Sequence, residues 1–389
     1  MECLDSIFEG HHYTADVLDK AFRKHRQWGS RDRRFIAEST YEMVRWWRLL
    51  EEASKASFPE KKKAERVLLA YLIKSELPVP AGMVPDPTSM SELKARLDHP
   101  AWPRKIKESI PDWLDEQGEK ELGTSLWAQE LHSLNLPASV YLRANTLKTT
   151  PEKLRLQLLQ KQVEVLACPS SPDALWLTKR QNLANSDEYQ EGLFEIQDIG
   201  SQEIAPFLHV AKGMRVIDAC AGAGGKTLHL AALMQNQGEI VALDVEPKKL
   251  ANLQERAKRA GATSIDTFLH DAQTLARYDA FADRLLLDVP CSGSGVLKRH
   301  PDTKWKLTLA ELEKLKTTQA DLLDTYPAML KPGGELVYAT CSIFPSENKQ
   351  QITDFLKRKE AHFTLLEEKH TWPSEGGDGF YMARLRKNP

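Results

Sequence analysis

The stretch MRVIDACAGAGGKTLHLAALM, residues 214–234, decides the fold of this chain. Its start, MRVIDA, is an apolar run typical of a buried strand, and LHLAALM has the composition of a helix that packs on a sheet. Between them, the glycine-rich turn from Asp218 to Thr227 lets the backbone approach a ligand at the N-terminus of the helix. A strand, a glycine turn and a helix in this order predict a Rossmann-like α/β unit that binds a nucleotide or a nucleoside.

Further apolar runs follow the turn and alternate with helical stretches. They are EIVALD, DTFLHD, RLLLDVP, ELVYATC, HFTLLEE and GFYMARLR. This alternation is typical of a mostly parallel sheet with helices on both faces. With the first run they predict a seven-stranded α/β domain over residues 196–389.

The residues before this domain have two different patterns. Over residues 30–56, apolar side chains recur at helical spacing, with Ser30 placed to cap the start and with interspersed arginines (Arg31, Arg33, Arg34, Arg45 and Arg48). This pattern predicts an amphipathic helix in an all-α domain over residues 1–128. Between 129 and 195, VYLRANTL, VEVLAC and ALWLT resemble strands and PEKLRLQLLQKQ a helix, which predicts a small α/β module.

Composition excludes several classes of protein. The 53 Lys and Arg residues nearly balance the 55 Asp and Glu residues, so any surface for nucleic acid must be local. Five scattered cysteines without a C-x-x-C pair argue against a disulfide framework and a zinc site. With no signal peptide and no apolar run near the roughly 20 residues of a membrane helix, we expect a soluble, cytoplasmic protein. We also expect it to be a monomer without a metal ion.

The glycine turn does not fit the common phosphate-binding motifs. A Walker P-loop needs a glycine five residues before Gly225, where this chain has Cys220. The dinucleotide fingerprint places its third glycine where this chain has Thr227. The spacing therefore disfavours both NTPases and dinucleotide enzymes.

Acidic residues end the next two predicted strands. Asp244 lies 19 residues beyond Gly225, where an acid can bind the hydroxyls of a ribose, and Asp271 is placed to reach an adenine edge. Either acid could instead cap a helix. The pattern favours a nucleoside cofactor such as S-adenosylmethionine. The candidate cofactor-binding residues are Cys220, Ala221, Gly222, Ala223, Gly224, Gly225, Lys226, Asp244, Asp271 and Asp288.

Two cysteines follow two further predicted strands, in the contexts Pro290-Cys291 and Thr340-Cys341. Because ligands of open α/β sheets bind at the carboxyl ends of the strands, both thiols should face the crevice that holds the cofactor. A lone cysteine is more often a small buried apolar residue, which is our interpretation of Cys3, Cys168 and Cys220. The placement of Cys291 and Cys341 instead favours action on one substrate.

At these residues the chain closely resembles the RsmB/Sun (Fmu) family of bacterial RNA cytosine-5 methyltransferases. The motifs that carry the resemblance are RDRRFIAESTYEMVRWWRLL, IPDWL, LRANTLK, FEIQDIGSQ, DACAGAGGKT, DVPCSGSGVLKRHPDTKW, YATCSIFPSEN and GFYMARL. The resemblance implies a NusB-like RNA-binding domain at the N-terminus, an RNA-binding second module and a class I methyltransferase domain. One departure concerns the turn, where Gly222 and Ala223 replace the family's Ala and Pro; this should loosen the unbound loop and affect cofactor affinity.

The resemblance also implies a mechanism. Cys341 would attack C6 of a cytosine, and Cys291 would assist release by helping to remove the C5 proton. Asp288 would bind the N3/N4 edge of the base, and Lys226 would orient the base or the acid. The target must be unpaired or flipped out, and residues 298–302 after the Pro-Cys loop are placed to meet phosphates or to form a solvated loop.

Three other interpretations stay open at this point. A DNA cytosine-5 methyltransferase would use the Pro-Cys thiol as the nucleophile and would not need Cys341. A non-catalytic RNA-binding assembly factor would not need either thiol. Among RNA substrates, ribosomal RNA is preferred by family analogy, and transfer RNA is the alternative.

Overall fold

The computed structural model describes residues 2–55, 63–80, 82–83 and 87–389. The chain forms two compact units. The first comprises Met1–Leu136 and Leu297–Leu309, and the second comprises Pro137–Val296 and Ala310–Pro389. In the described part of the first segment the helices are α1 (Glu2–Phe8), α2 (Thr14–Lys24), α3 (Ser30–Arg45), α4 (Trp47–Ser54), α5 (Lys63–Lys74), α6 (Pro87–Leu97), α7 (Arg104–Lys107), α8 (Asp112–Leu122) and α9 (Thr124–Leu134).

The remaining elements follow in chain order. Up to residue 196 they are β1 (Val140–Ala144), α10 (Pro151–Gln160), β2 (Val165–Ala167), β3 (Ala174–Leu177), α11 (Asp187–Gln190) and β4 (Phe194–Ile196). Up to residue 288 they are α12 (Ile199–Phe207), β5 (Arg215–Asp218), α13 (Gly225–Leu233), β6 (Glu239–Asp244), α14 (Pro247–Ala260), β7 (Ile265–Leu269), α15 (Ala272–Arg277) and β8 (Ala282–Asp288). The last are α16 (Thr303–Lys306), α17 (Leu309–Thr325), β9 (Leu330–Thr340), α18 (Lys349–Lys359), β10 (Phe363–Thr371) and β11 (Phe380–Lys387).

The amphipathic helix expected over residues 30–56 is divided in the structure. Helix α3 ends at Arg45 and α4 begins at Trp47, because the backbone of Trp46 leaves the helical region at φ −102° and ψ 15°. Ser30 is the first residue of α3 rather than its cap, and the N–H of Gly29 donates to the Asp32 carboxylate at 3.1 Å. Residue 56, the expected end, lies outside the described residues.

The segment Leu297–Leu309 is part of the first unit, although the sequence assigned it to the catalytic domain. Arg45, which is 5% exposed, donates from Nη2 to the Lys298 carbonyl at 2.8 Å, and Lys304 Nζ donates to the Arg45 carbonyl at 2.7 Å. Lys298 and Asp302 are only 5% and 3% exposed. The segment is therefore packed protein, and neither of these two charged side chains lies in a solvated loop.

The second unit contains a small antiparallel sheet with the strand order β2-β3-β1-β4. Helix α10 packs one face of it, with Leu154 and Leu158 fully buried. The three strands expected from the sequence are present. Strand β4 was not predicted, because only three residues pair and the middle one is Glu195.

The large sheet has seven strands in the order β10-β11-β9-β8-β5-β6-β7, and β11 runs antiparallel to both of its neighbours. All seven predicted strands are confirmed. Successive residues of a strand are buried on opposite faces: Val216 packs in one core and Ile217 in the other. This two-sided burial explains why the strands are apolar throughout rather than alternating.

The order of the strands places β8 directly between β5 and β9. The loops that follow these three parallel strands consequently lie together at one edge of the sheet. None of the helices in the described part of the chain has the length and hydropathy of a membrane span.

Candidate active site

The two cysteines singled out in the sequence lie side by side in the structure. Strand β8 ends at Asp288 and β9 ends at Thr340, with Asp288 paired to Ala339. The Sγ atoms of Cys291 and Cys341 are 3.2 Å apart, and the Cys341 backbone N–H lies 3.3 Å from Cys291 Sγ. Both residues are partly exposed. The two thiols can therefore reach the same bound molecule.

The two thiols differ in their surroundings. The hydrogen bond with Cys341 and burial together raise the pKa of Cys291 well above its usual value, and the charge of Glu347 adds to this effect. A thiol with a raised pKa stays protonated at neutral pH. In the resting protein the Cys291 thiol is therefore protonated.

Lys226 and Asp288 form an ion pair next to the thiols. Lys226 lies in the first turn of α13, and its Nζ donates to Asp288 Oδ2 at 2.5 Å. Burial would lower the pKa of Lys226, but the charge of Asp288 and the hydrogen bond to it outweigh burial and raise it. A thiolate at Cys341 would act in the same direction. The lysine is therefore a permanent cation, with Nζ 5.7 Å from the centre of the Phe380 ring.

The glycine turn adopts a backbone that only glycine accepts easily. Gly222 and Gly224 have φ values of +55° and +85°, and Gly224 precedes the first residue of α13. A Cβ at Gly224 would lie 2.5 Å from Leu253 Cγ, whereas a Cβ at Gly222 would have no neighbour within 4 Å. Gly222 thus lies on the open side of the turn, where a ligand can approach.

Hydrogen bonds fix the backbone of two other residues of the turn, Ala221 and Ala223. The Ala221 N–H donates to the Leu243 carbonyl at 2.9 Å, and Arg256 Nη1 donates to the Ala223 carbonyl at 2.6 Å. Burial raises the pKa of Cys220, so this thiol is unreactive, as its interpretation as a small apolar residue requires.

The two strand-end acids behave differently. Asp244 is 8% exposed and accepts the N–H groups of Gly222 and Glu246, each at 2.9 Å. Asp271 is exposed and caps α15, accepting the backbone N–H and the hydroxyl of Thr274 at 2.7 Å. These bonds lower the pKa of Asp271. The structure brings Asp244 to the glycine turn and gives Asp271 the capping role considered as its alternative.

Asp218 and Arg143 are buried residues of this region that were not among the candidate residues. Burial raises the pKa of Asp218 to about 7, against hydrogen bonds from Thr227 and the Cys220 backbone. Arg143, on β1, donates to the Gly225 carbonyl at 2.7 Å and also to Gln197. Asp218 could have been found as the first residue of the quoted turn. Nothing in the sequence shows that β1 supports the turn.

Three residues near the thiols were also missed. Ser292, Ser342 and Glu347 form a buried hydrogen-bonded group, with both serine hydroxyls 2.5 Å from Glu347 Oε2. Each serine directly follows one of the two cysteines, which is a signal that the motifs PCS and TCS contained.

Comparisons with known proteins identify the family to which the chain belongs. The family model described as 16S rRNA methyltransferase RsmB/F matches residues 205–386, and the model of the RsmF/B-like ferredoxin-like domain matches residues 110–184. Ribosomal RNA small subunit methyltransferase B of Pasteurella multocida is 34% identical over 306 residues, which cover 74% of this chain and 65% of the relative. Its namesake from Klebsiella pneumoniae is 32% identical over 76% of this chain and 68% of the relative.

A solved structure extends the likeness to nearly the whole chain. The crystal structure of PH0851 superposes with a TM-score of 0.80 at 26% identity, covering 96% of this chain and 94% of that one. The chain spans only about two thirds of the length of the relatives it matches, 65% for the Pasteurella multocida protein and 68% for the Klebsiella pneumoniae protein. The seven-stranded sheet, its reversed strand and the glycine turn after β5 define a Rossmann-like methyltransferase domain. Within that class, the chain belongs to the RsmB/F family.

Proposed function

We propose that this protein is an S-adenosylmethionine-dependent RNA methyltransferase that forms 5-methylcytosine. The observation that carries the proposal is the contact between the Cys291 and Cys341 thiols beside the Lys226–Asp288 ion pair. One thiol can form a bond to the substrate while the second exchanges a proton with it. A protein that bound the base without reacting with it would need neither thiol.

The residues of the glycine turn suit the cofactor. Each oxygen of the Asp244 carboxylate accepts one N–H and keeps a second lone pair, so the carboxylate can also accept the ribose hydroxyls. At Gly222 the backbone is open to a ligand. When bound, S-adenosylmethionine supplies an electrophilic methyl group. Asp288 would line the same crevice on the side where the substrate binds.

The thiols then act in sequence. The Cys341 thiolate forms a C–S bond to C6 of cytosine, and the electron pair of the C5–C6 bond makes C5 nucleophilic. Asp288, whose side chain is 26% exposed, is placed to bind the N3/N4 edge of the ring. After C5 is methylated, the Cys291 thiol gives up its own proton to solvent, and the resulting thiolate accepts the C5 proton. The electrons of the broken C–H bond restore the C5–C6 double bond as the C–S bond breaks.

The names of the relatives support a class of substrate. They are named for the ribosomal RNA of the small subunit. We propose a ribosomal RNA cytosine in an unpaired or flipped-out state, because a stacked base cannot reach thiols in a crevice. Transfer RNA is the second candidate. Bisulfite sequencing of RNA from cells with and without the gene distinguishes them.

The test of the chemistry compares two alanine variants. Cys341→Ala should lose both methylation and any covalent link to RNA, since no thiolate is left to attack C6. Cys291→Ala should still attack but release its product slowly, so that the protein stays bonded to RNA through denaturing electrophoresis until nuclease is added. Cys168→Ala, a partly exposed cysteine of the small module, is the matched control and should behave as the wild type.

Two results would contradict the proposal. If Cys341→Ala traps RNA and Cys291→Ala is merely inactive, the roles are exchanged and the Pro-Cys thiol is the nucleophile, as in DNA cytosine-5 methyltransferases. If both variants methylate RNA at the wild-type rate, the covalent mechanism is wrong. Wild-type protein that binds RNA but never transfers labelled methyl groups would favour an assembly factor.

A further inference from the structure

The residues that directly follow the two thiols share one buried carboxylate. Ser292 and Ser342 each donate their hydroxyl to Glu347 Oε2 at 2.5 Å. The backbone N–H of Ser292 donates to Glu347 Oε1 at 2.8 Å. The loops after β8 and β9 are therefore joined through a single side chain, one residue beyond each cysteine.

A fourth donor holds the other side of Cys291. The Nε2 atom of Gln319, on α17, lies 3.0 Å from Glu347 Oε1 and 2.9 Å from the carbonyl of Pro290. Pro290 and Ser292 flank Cys291 in the chain, so the backbone on both sides of this cysteine is fixed by the same group of atoms. Small movements of Glu347 would move Cys291 relative to Cys341.

The charge of Glu347 has a cost that a neutral link would avoid. Glu347 is fully buried, and burying a carboxylate is unfavourable unless hydrogen-bond donors replace its water. Four donors do so here. A neutral side chain would join two loops at lower cost, so the negative charge itself needs an explanation.

We propose that Glu347 is a positioning residue for the two thiols, which holds Cys291 beside Cys341 and directs a fixed negative charge at Cys291. This inference rests on the proposed function. Only the two-thiol reaction needs a fixed distance between Cys291 and Cys341 and a negative charge beside one of the two thiols. Glu347 does not touch the substrate in this mechanism. It acts through Ser292, Ser342 and the backbone that they fix.

Charged and titratable groups lie beside both thiols. Cys341, Glu347 and Tyr338 interact electrostatically with Cys291. Lys226 interacts with Cys341 and with Asp288. Each thiol thus has its own charged neighbour, an anion for Cys291 and a cation for Cys341.

The change Glu347→Gln removes the charge with little change in shape. If the amide oxygen replaces Oε1, it still accepts from the Ser292 N–H and from Gln319. The NH₂ group then faces the two serine hydroxyls, which can turn and accept. We therefore expect the variant to fold. Ser342→Ala, which removes one donor from Oε2, is the second variant should Glu347→Gln be insoluble.

The first readout needs neither RNA nor cofactor. In a Cys341→Ala background, the rate of Cys291 alkylation by iodoacetamide is measured against pH with Glu347 and with Glu347→Gln. Loss of the anion should move the curve to lower pH by about one unit. A merely structural role would leave the midpoint where it was.

The second readout uses the full enzyme with both thiols present. Glu347→Gln should lower kcat by about 10- to 100-fold, as expected for misplaced reacting groups, with KM for RNA and cofactor within about twofold. Ser342→Ala should lower kcat in the same way but less. Glu335→Gln is the matched control, because Glu335 is a buried carboxylate in the middle of β9, paired with Arg384 and Arg386 at 2.8 Å. It should reduce stability without moving the alkylation curve.

The outcomes separate this inference from the proposed function. An unchanged alkylation midpoint together with unchanged kcat in Glu347→Gln and Ser342→Ala would overturn the positioning role. An equal shift of the curve in Glu335→Gln would also overturn it. A wild-type protein that never methylates cytosine would contradict the proposed function, whereas the alkylation curves would still report the effect of Glu347 on Cys291.

Discussion

The loop after β5 and the loops after β8 and β9 lie at the same edge of one sheet but are built in opposite ways. At Gly222, in the first loop, an added Cβ would meet nothing within 4 Å. At Gly295, in the second, it would lie 2.2 Å from the Gly379 carbonyl oxygen and 2.9 Å from that of Cys341. The side assigned to the cofactor is open, and the side that carries the thiols is closely packed.

Two buried carboxyl groups show the same contrast. Asp218, below the glycine turn, accepts a side-chain hydrogen bond from Thr227 at 2.7 Å, and burial raises its pKa to about 7. Glu347, next to the thiols, accepts hydrogen bonds from three side chains and one backbone N–H. A cofactor that enters and leaves needs accessible backbone, whereas two thiols that act in sequence need a fixed distance. The predictions below test this difference, from the largest expected effect to the smallest.

The largest effect is expected for Gly295→Ala. The new methyl group would collide with two backbone oxygens, which cannot move away as the end of a side chain can. We expect the free energy of unfolding to fall by about 3 kcal/mol or more, and methylation to be lost with it. Urea denaturation measures the first effect and transfer of labelled methyl groups the second. A variant as stable and active as the wild type would show that the thiol loops are not rigid.

The next effect concerns Asp218 and pH. Because its folded-state pKa is raised to about 7, the native state binds more protons than the unfolded state between about pH 4 and pH 7. Stability should therefore fall as pH rises through this window, by about 1 kcal/mol per unit from this group. Asp218→Asn keeps the acceptor for Thr227 and should remove this slope.

The measurement is urea denaturation at pH 5, 6, 7 and 8. Asp321→Asn, which changes an exposed aspartate on α17, is the control and should retain the wild-type slope. If Asp218→Asn keeps the same dependence on pH, the buried carboxyl below the glycine turn is already ionised at pH 5. The contrast with Glu347 would then be wrong.

Most of the fold could be predicted because two-sided burial makes the strands of the large sheet continuously apolar, and each loop after such a strand is then recognisable. The positions of three candidate residues could be predicted for the same reason, because Cys291 and Cys341 follow strand ends and Asp244 is the last residue of β6. The family resemblance added their roles. Periodicity could not show where α3 ends, because the apolar stripe continues through Trp46 while the backbone turns away.

The missed residues depend on contacts between distant parts of the chain. Glu347 meets Gln319 and Ser292 only because α17 and two strand ends converge. Arg45 looked like a surface arginine of an amphipathic helix, but it is buried against the Lys298 carbonyl, 253 positions away. Neither partner can be found from local sequence. Arg31 and Arg34, in the same helix, are exposed.

A smaller effect is expected for Asp244→Ala. Its carboxylate orders the turn through Gly222 and is the acceptor proposed for the ribose hydroxyls. Hydrogen bonds to a charged group contribute about 1.5–3 kcal/mol, so cofactor affinity should fall about 10- to 100-fold in calorimetry. Asp271→Ala is the matched variant, and its loss of affinity should be smaller because Asp271 is exposed and caps α15 instead of bonding to the glycine turn. Equal affinity of Asp244→Ala and wild type would exclude this residue from the cofactor site.

The smallest effect is expected for Gly222→Ala, the counterpart of Gly295→Ala on the open side. The methyl group meets no atom, so the cost comes only from the φ of +55°, which disfavours a residue with a Cβ by about 1 kcal/mol. The unfolding midpoint should shift slightly, and cofactor affinity should fall by only a few fold, with kcat unchanged. A loss of stability as large as that of Gly295→Ala would mean that the two sides are equally packed and would remove the distinction between an open cofactor loop and fixed thiol loops.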